Sequence, residues 1–303
     1  MSEKRSERSY INVPNDWELV ESDGVGPFET RMVYRLPDES EYVWESRRNR
    51  KGRGAKEASG QAESATFTQE PRKENPWLKF WAPHRISWWV TILFFVGSAL
   101  FILGAVAALF PEIFRGSIDV SAFYFVGALV FTIGVYVQLL EAINQKSYID
   151  TNLRDEPTKK FDWFAWQPGR LSFLEAFVLL VGSALFNIET TLALAERLSW
   201  IEITYLIGLT SLTGSVLFVA GTYLQLVEVC HEYLCWRPHE ISWWVAVLSF
   251  LGCVGYLVGS VIGLDVPGLV SPSEPLLVKL SFLQGSVFFA AASYLMLPEM
   301  FTE

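Results

Sequence analysis

The strongest constraint on this chain is a fifteen-residue stretch that occurs three times. Gly127 to Glu141 reads GALVFTIGVYVQLLE, Gly214 to Glu228 reads GSVLFVAGTYLQLVE and Gly285 to Glu299 reads GSVFFAAASYLMLPE. Gly or Ala, Phe, Tyr, Leu and Glu share one register without a gap. Each copy lies in an apolar window of roughly 20 residues or more, the length a helix needs to cross about 30 Å of hydrocarbon. Six such windows begin near Ile86, Ser121, Leu171, Ile201, Ile241 and Leu276. Three windows carry the copies and three stand before them, so the chain reads as three helical hairpins.

Each hairpin opens on the same phrase. Trp81, Pro83, Ile86 and Ser87 correspond to Trp166, Pro168, Leu171 and Ser172, and to Trp236, Pro238, Ile241 and Ser242. Trp anchors at the headgroup level, Pro is tolerated ahead of a helix, and Ser is expected to cap the first turn. A second pattern runs through all six spans. Gly97, Phe101, Gly104 matches Gly182, Phe186, Glu189 and Gly252, Tyr256, Gly259 in the leading helices. Gly127, Phe131, Gly134, then Gly214, Phe218, Gly221, then Gly285, Phe289, Ala292 repeat it in the following ones. Steps of four and three hold these residues on one helix face. In lipid such stripes let backbones approach and a ring fill the space between. Gly255, Gly259 and Gly263 add a doubled GxxxG that serves either internal packing or a dimer contact.

Lys and Arg set the orientation. Of the 24, all but Arg115, Arg197 and Lys279 fall in the first 85 residues or in the loops at 146–170 and 230–240, which places both termini in the cytoplasm of a cell membrane protein. Trp77, Trp81, Trp88, Trp89, Trp163, Trp166, Trp236, Trp243 and Trp244 gather at the same inner interface, and Trp200 marks the outer one. The N-terminus has no apolar run, so no signal peptide is expected. The net charge of −9 arises outside the balanced first 85 residues and suggests no nucleic-acid partner. Cys230, Cys235 and Cys253 lie in cytoplasmic or membrane positions, where a disulfide framework is not expected.

The expected fold is an all-α membrane protein of six transmembrane helices, arranged as three parallel hairpin repeats around a pseudo-threefold axis. The repeats span about 81–145, 166–232 and 236–299 of a domain at 76–303. Ahead of it lie a cytoplasmic segment, 1–53, and a flexible linker, 54–75, rich in Ala, Gly, Ser and Glu. Turn formers between short alternating runs suggest a small antiparallel β-meander in the segment, though about 40 residues bury little apolar surface by themselves. Arg47, Arg48, Arg50, Lys51, Arg53 and Lys56 follow it, either resting on anionic lipid or forming a solvated run that enforces topology.

The phrases FVGSALF (95–101), FVGALVF (125–131) and VGSALF (181–186) resemble the YrhK-like family of small bacterial membrane domains. The resemblance covers about residues 80–298 in a three-hairpin form. It implies an integral membrane protein, and it implies no catalytic residue.

Three constellations carry chemistry. Glu141, Glu228 and Glu299, with Gln138, Gln225 and Met296 one turn before them, converge at the inner mouth, either as a cation-attracting ring or as staples paired with Arg85 and Arg170. Glu189 replaces the small residue of the third helix's stripe, beside Asn187, Thr190 and Thr191, and so faces the interior. It either coordinates a proton or cation or reaches out to Arg197. Cys230, Cys235 and His239, with His84 from the first repeat and His231 nearby, are either metal ligands or ordinary interfacial residues. No phosphate loop, dinucleotide fingerprint, H-E-x-x-H or G-x-S-x-G is present, so no cofactor and no enzyme activity are expected. The expected function is a non-catalytic structural or sensory membrane module; the alternative is a small-solute or ion permease built on Glu189 and the inner carboxylates.

Overall fold

The computed structural model describes residues 13–14, 16–53, 56–57, 77, 79–112, 120–145, 161–194, 199, 203–264 and 275–302. Most of the expected linker, and Arg115, Arg197 and Trp200, lie outside the described residues.

The segment before the membrane helices folds as the meander that its turns suggest. Strands β1 (Glu18–Val25), β2 (Phe28–Arg35) and β3 (Glu41–Glu45) pair antiparallel in sequence order, and a two-residue β4 (Lys56–Glu57) closes the edge. Gly26, at φ +59°, supplies the left-handed residue of the tight turn that pairs Val25 with Phe28. Met32, Tyr34 and Trp44 form the core of the sheet, with Val13, Trp17 and Tyr42 packed on it. That core is small. Its support comes from docking on the bundle: α1 (Ser46–Arg50) follows β3 directly and is buried along Ser46, Arg47, Arg48 and Arg50.

Six helices are long and apolar enough to cross a membrane. They are α2 (Ile86–Leu109), α3 (Val120–Ile143), α4 (Leu171–Leu192), α5 (Leu209–Cys230, continued from a π-helical turn at Ile203–Gly208), α6 (Ile241–Gly263) and α7 (Pro275–Glu299). Packing is most extensive between α2 and α3, α4 and α5, and α6 and α7; contacts of α3 with α4, α5 with α6, and α7 with α2 close the ring.

The glycine stripes explain the closeness of each pair. A Cβ added at Gly182 would lie 2.9 Å from the Phe218 ring, and one at Gly214 would lie 3.0 Å from the Phe186 ring, so each helix presents its glycine to the other's aromatic. Gly97 and Gly127 face Phe131 and Phe101 in the same reciprocal way, and Gly252 and Gly285 face Phe289 and Tyr256. The doubled GxxxG of α6 is used internally, since Gly255, Gly259 and Gly263 meet Gln284, Phe282 and Val278 of α7.

The helix starts differ from expectation in one respect. Arg85, Arg170 and Glu240 occupy the extended cap positions of α2, α4 and α6, and no side chain caps the first turn. Ser87 is buried and donates to Glu141, while Ser242 accepts from Arg53, so these hydroxyls are drawn inward by charge. The tryptophans orient the openings. Trp88 and Trp243 donate to the Phe80 and Cys235 carbonyls, and Trp89 and Trp244 to those of Pro83 and Pro238.

Candidate functional site

The inner carboxylates are joined by a fourth, and the space among them is filled by the chain itself. Glu141, Glu228 and Glu299 lie near the tail-side ends of α3, α5 and α7, and Glu175 joins them from just beyond the first turn of α4. All four are at most 4% exposed. Into their midst the segment 46–53 inserts Arg47, Arg50, Lys51 and Arg53.

Arg50 is the hub. Its Nη2 lies 2.7 Å from Glu228 and 3.4 Å from Glu175, and its Nη1 lies 3.7 Å from Glu141. Arg47 grips Glu299 with two nitrogens, Nε at 2.7 Å and Nη2 at 3.1 Å, the fork that gives guanidinium pairs their directionality. Lys51 and Arg53 approach Glu299 at 3.8 Å. The second carboxylate oxygens are also engaged: Ser46 donates to Glu228 at 2.7 Å, Gln138 donates to Glu175 at 2.6 Å, and Ser87 donates to Glu141. Gln145 donates to the Ser46 carbonyl at 3.0 Å, which ties α3 to the start of α1.

Three buried cations, Arg47, Arg50 and Lys51, and the partly buried Arg53 thus meet four buried carboxylates. A lone charge in this setting costs several kcal/mol, whereas a paired and hydrogen-bonded set is tolerated. Burial pulls the Arg50 guanidinium down, but Glu228, Glu175 and Glu141 more than offset it, so its pKa rises above the ordinary value. Arg47 is raised in the same way by Glu299. For Lys51 burial outweighs the attraction of Glu299, and its pKa is lowered. Arg53 is lowered for the same reason.

This arrangement corrects two expectations. Arg85, expected to pair with Glu141, instead donates to the Met300 carbonyl at 2.8 Å and lies over the Phe301 ring. Arg47, Arg50, Lys51 and Arg53, read as facing anionic lipid or solvent, are turned inward onto glutamates. Two signals in the sequence pointed there. Arg47, Arg50 and Lys51 are spaced three and four apart, one face of a helix, and Glu175 stands alone inside the apolar run LSFLEAFVLL.

The sheet adds a second contact. His231, in left-handed geometry at the end of α5, sets Nδ1 3.0 Å from the hydroxyl of Thr30 on β2, and both residues are buried. Beside it Cys230 and Cys235 form a disulfide, contrary to expectation. The two come within reach because the chain reverses immediately after α5. Neither then offers a thiolate, His84 and His239 are exposed, and among the described residues no group of His, Cys, Asp or Glu is placed to hold a metal.

Toward the far end of the bundle lies a cavity of about 290 Å³, with Glu189 in its wall. The Glu189 Oε2 is closed off from solvent and has no hydrogen-bond partner. Asn187 donates to Thr132 at 2.5 Å and to the Ser183 carbonyl at 2.9 Å. Between this cavity and the carboxylates stands a layer of rings. Phe131 lies 5.8 Å from Phe218 and 5.4 Å from Phe289 between ring centres, with Phe94 stacked on Phe131 at 4.7 Å. Beneath that layer a void of about 20 Å³ is lined by Gln138, Gln225 and Met296 among others. The polar groups therefore form separate compartments. Tyr136 and Tyr223 point away from them and donate to the Trp163 and Tyr233 carbonyls.

No family model, curated protein or solved structure matches this chain.

Proposed function

We propose that this protein is a non-catalytic, structural or sensory membrane module whose N-terminal β-segment is locked onto the bundle by the inserted cations. Three parallel hairpins, with both termini cytoplasmic in a cell membrane, provide the frame, in the manner of the YrhK-like resemblance. The observation that carries the reading is the pairing of Arg47, Arg50, Lys51 and Arg53 with Glu141, Glu175, Glu228 and Glu299. Such an arrangement couples the position of a soluble segment to the spacing of four helices, because any shift of α3, α4, α5 or α7 moves a carboxylate. It also argues against an open permease. A solute leaving the far cavity would have to part the rings of Phe131, Phe218 and Phe289 and then displace α1.

A charge swap tests the lock. Hydrogen exchange of β1 to β3 is measured in lipid nanodiscs for Arg47→Glu, Glu299→Arg and the double variant. Each single change is expected to raise exchange across the sheet at least tenfold, and the double variant to restore much of the protection. Single variants that keep full protection would refute the lock. Reporter fusions at residues 116 and 303 check orientation, with an external C-terminus overturning it.

A further inference from the structure

The far-end cavity has a chemistry that the lock does not use. Residues of all six long helices line it, and its volume is about 290 Å³. An apolar cavity of roughly 150 Å³ accepts benzene, so this one has room for a molecule of about twelve non-hydrogen atoms. Its wall is aromatic, with Phe101, Tyr124, Phe186, Phe218, Tyr256 and Phe282 around the space. Among the described residues Glu189 is the one carboxylate in that wall. Its Oε2 is buried without a partner, and the nearby Ser211 hydroxyl is engaged with Ser260 at 2.9 Å. Lys279, at the rim, is engaged by the Ala108 carbonyl at the end of α2, 2.7 Å away.

Ring faces attract cations through their quadrupole, more strongly where water is excluded. A carboxylate in the same space lacks a counter-charge and attracts the same ligand. Ca²⁺ and Mg²⁺ suit this wall poorly, because they require several oxygen ligands and the wall offers one carboxylate and scattered hydroxyls among mostly apolar surface. A neutral apolar molecule would fill the volume and leave Glu189 unanswered. We propose that the cavity binds an organic ammonium ion of about a dozen non-hydrogen atoms, its cationic head against Glu189 and its apolar body among the rings.

The test uses the full chain in lipid nanodiscs, with binding to empty nanodiscs subtracted. The probes are phenethyltrimethylammonium and its uncharged carbon isostere, (3,3-dimethylbutyl)benzene. The ammonium is expected to bind at least tenfold tighter than the isostere. Glu189→Gln should abolish that preference while leaving the isostere's affinity within about threefold. Ala193→Trp, which adds a ring from an exposed position of the cavity wall, should weaken both probes at least tenfold. Melting temperatures and exchange protection of the sheet establish that each variant is folded and that the lock is intact. Equal binding of the two probes, binding of neither, a preference that survives Glu189→Gln, or affinities untouched by Ala193→Trp would each overturn the proposal.

Discussion

The two ends of the bundle treat a glutamate in opposite ways. At the tail-side end four carboxylates are buried and each meets a cation from residues 46–53. At the far end Glu189 faces a cavity with one oxygen closed off and unpartnered. A charge withdrawn from water is stable where its partner is withdrawn with it. The near end is therefore finished structure held by its own chain, and the far end presents an interaction still to be made from outside.

The contrast is sharpest when one charge is removed from each end. Arg50→Met strips the hub from Glu141, Glu175 and Glu228, and breaking a buried set in this way costs about 3–5 kcal/mol. Glu189→Gln keeps the shape and removes a group without a counter-charge, so it is expected to leave stability unchanged or to raise it. Thermal melting in one detergent compares them. Equal losses would erase the distinction between the two ends.

Gly252→Ala probes the frame that joins the ends. The new Cβ would sit 2.8 Å from the Phe289 ring and 3.0 Å from the Gly285 carbonyl, where backbone has to move. Overpacking of this kind costs about 1–3 kcal/mol, which places the variant below Arg50→Met in a melting series. A larger loss than that of Arg50→Met would put the frame, and not the lock, at the centre of stability.

The smallest effect is expected from acid. Burial lowers the pKa of His231, with Glu45 and Glu228 opposing that shift and Arg31 and Arg237 reinforcing it. Burial thus favours the neutral ring where it meets Thr30. The unfolded chain binds the proton more readily, so the contact is whole above about pH 6.5 and is lost as pH falls through the lower folded value. Protection of Thr30 and its neighbours on β2, relative to the intrinsic exchange rate at each pH, should therefore fall between pH 7.5 and 5, and His231→Gln should remove that dependence. A pH response unchanged in His231→Gln would assign it to another group.

Much of the fold was legible from residues alone. Length and hydropathy set the six helices, and the Gly-Phe-Gly steps set which face of each helix packs, because four-and-three spacing maps to one face whatever the partner. Turn formers between short alternating runs marked the sheet. The Ser residues at 87, 172 and 242 misled as caps: Ser87 donates to Glu141 instead, and Ser242 accepts from Arg53. The Cys230–Cys235 bridge ran against an expectation drawn from compartment, because proximity across a reversal of the chain is a matter of backbone path.

By itself, then, the sequence determined the elements and their faces, which depend on local period and on the apolar length that lipid demands. Only the tertiary structure decided where the charges go. Arg47, Arg50, Lys51 and Arg53 read as a surface run until β3 carries them to the mouth, and Glu175 reads as an isolated acid until α4 sets it beside Arg50. Pairing across more than 100 residues depends on Coulomb energy in a dry site, and that energy depends on distance and burial, neither of which a linear spacing contains.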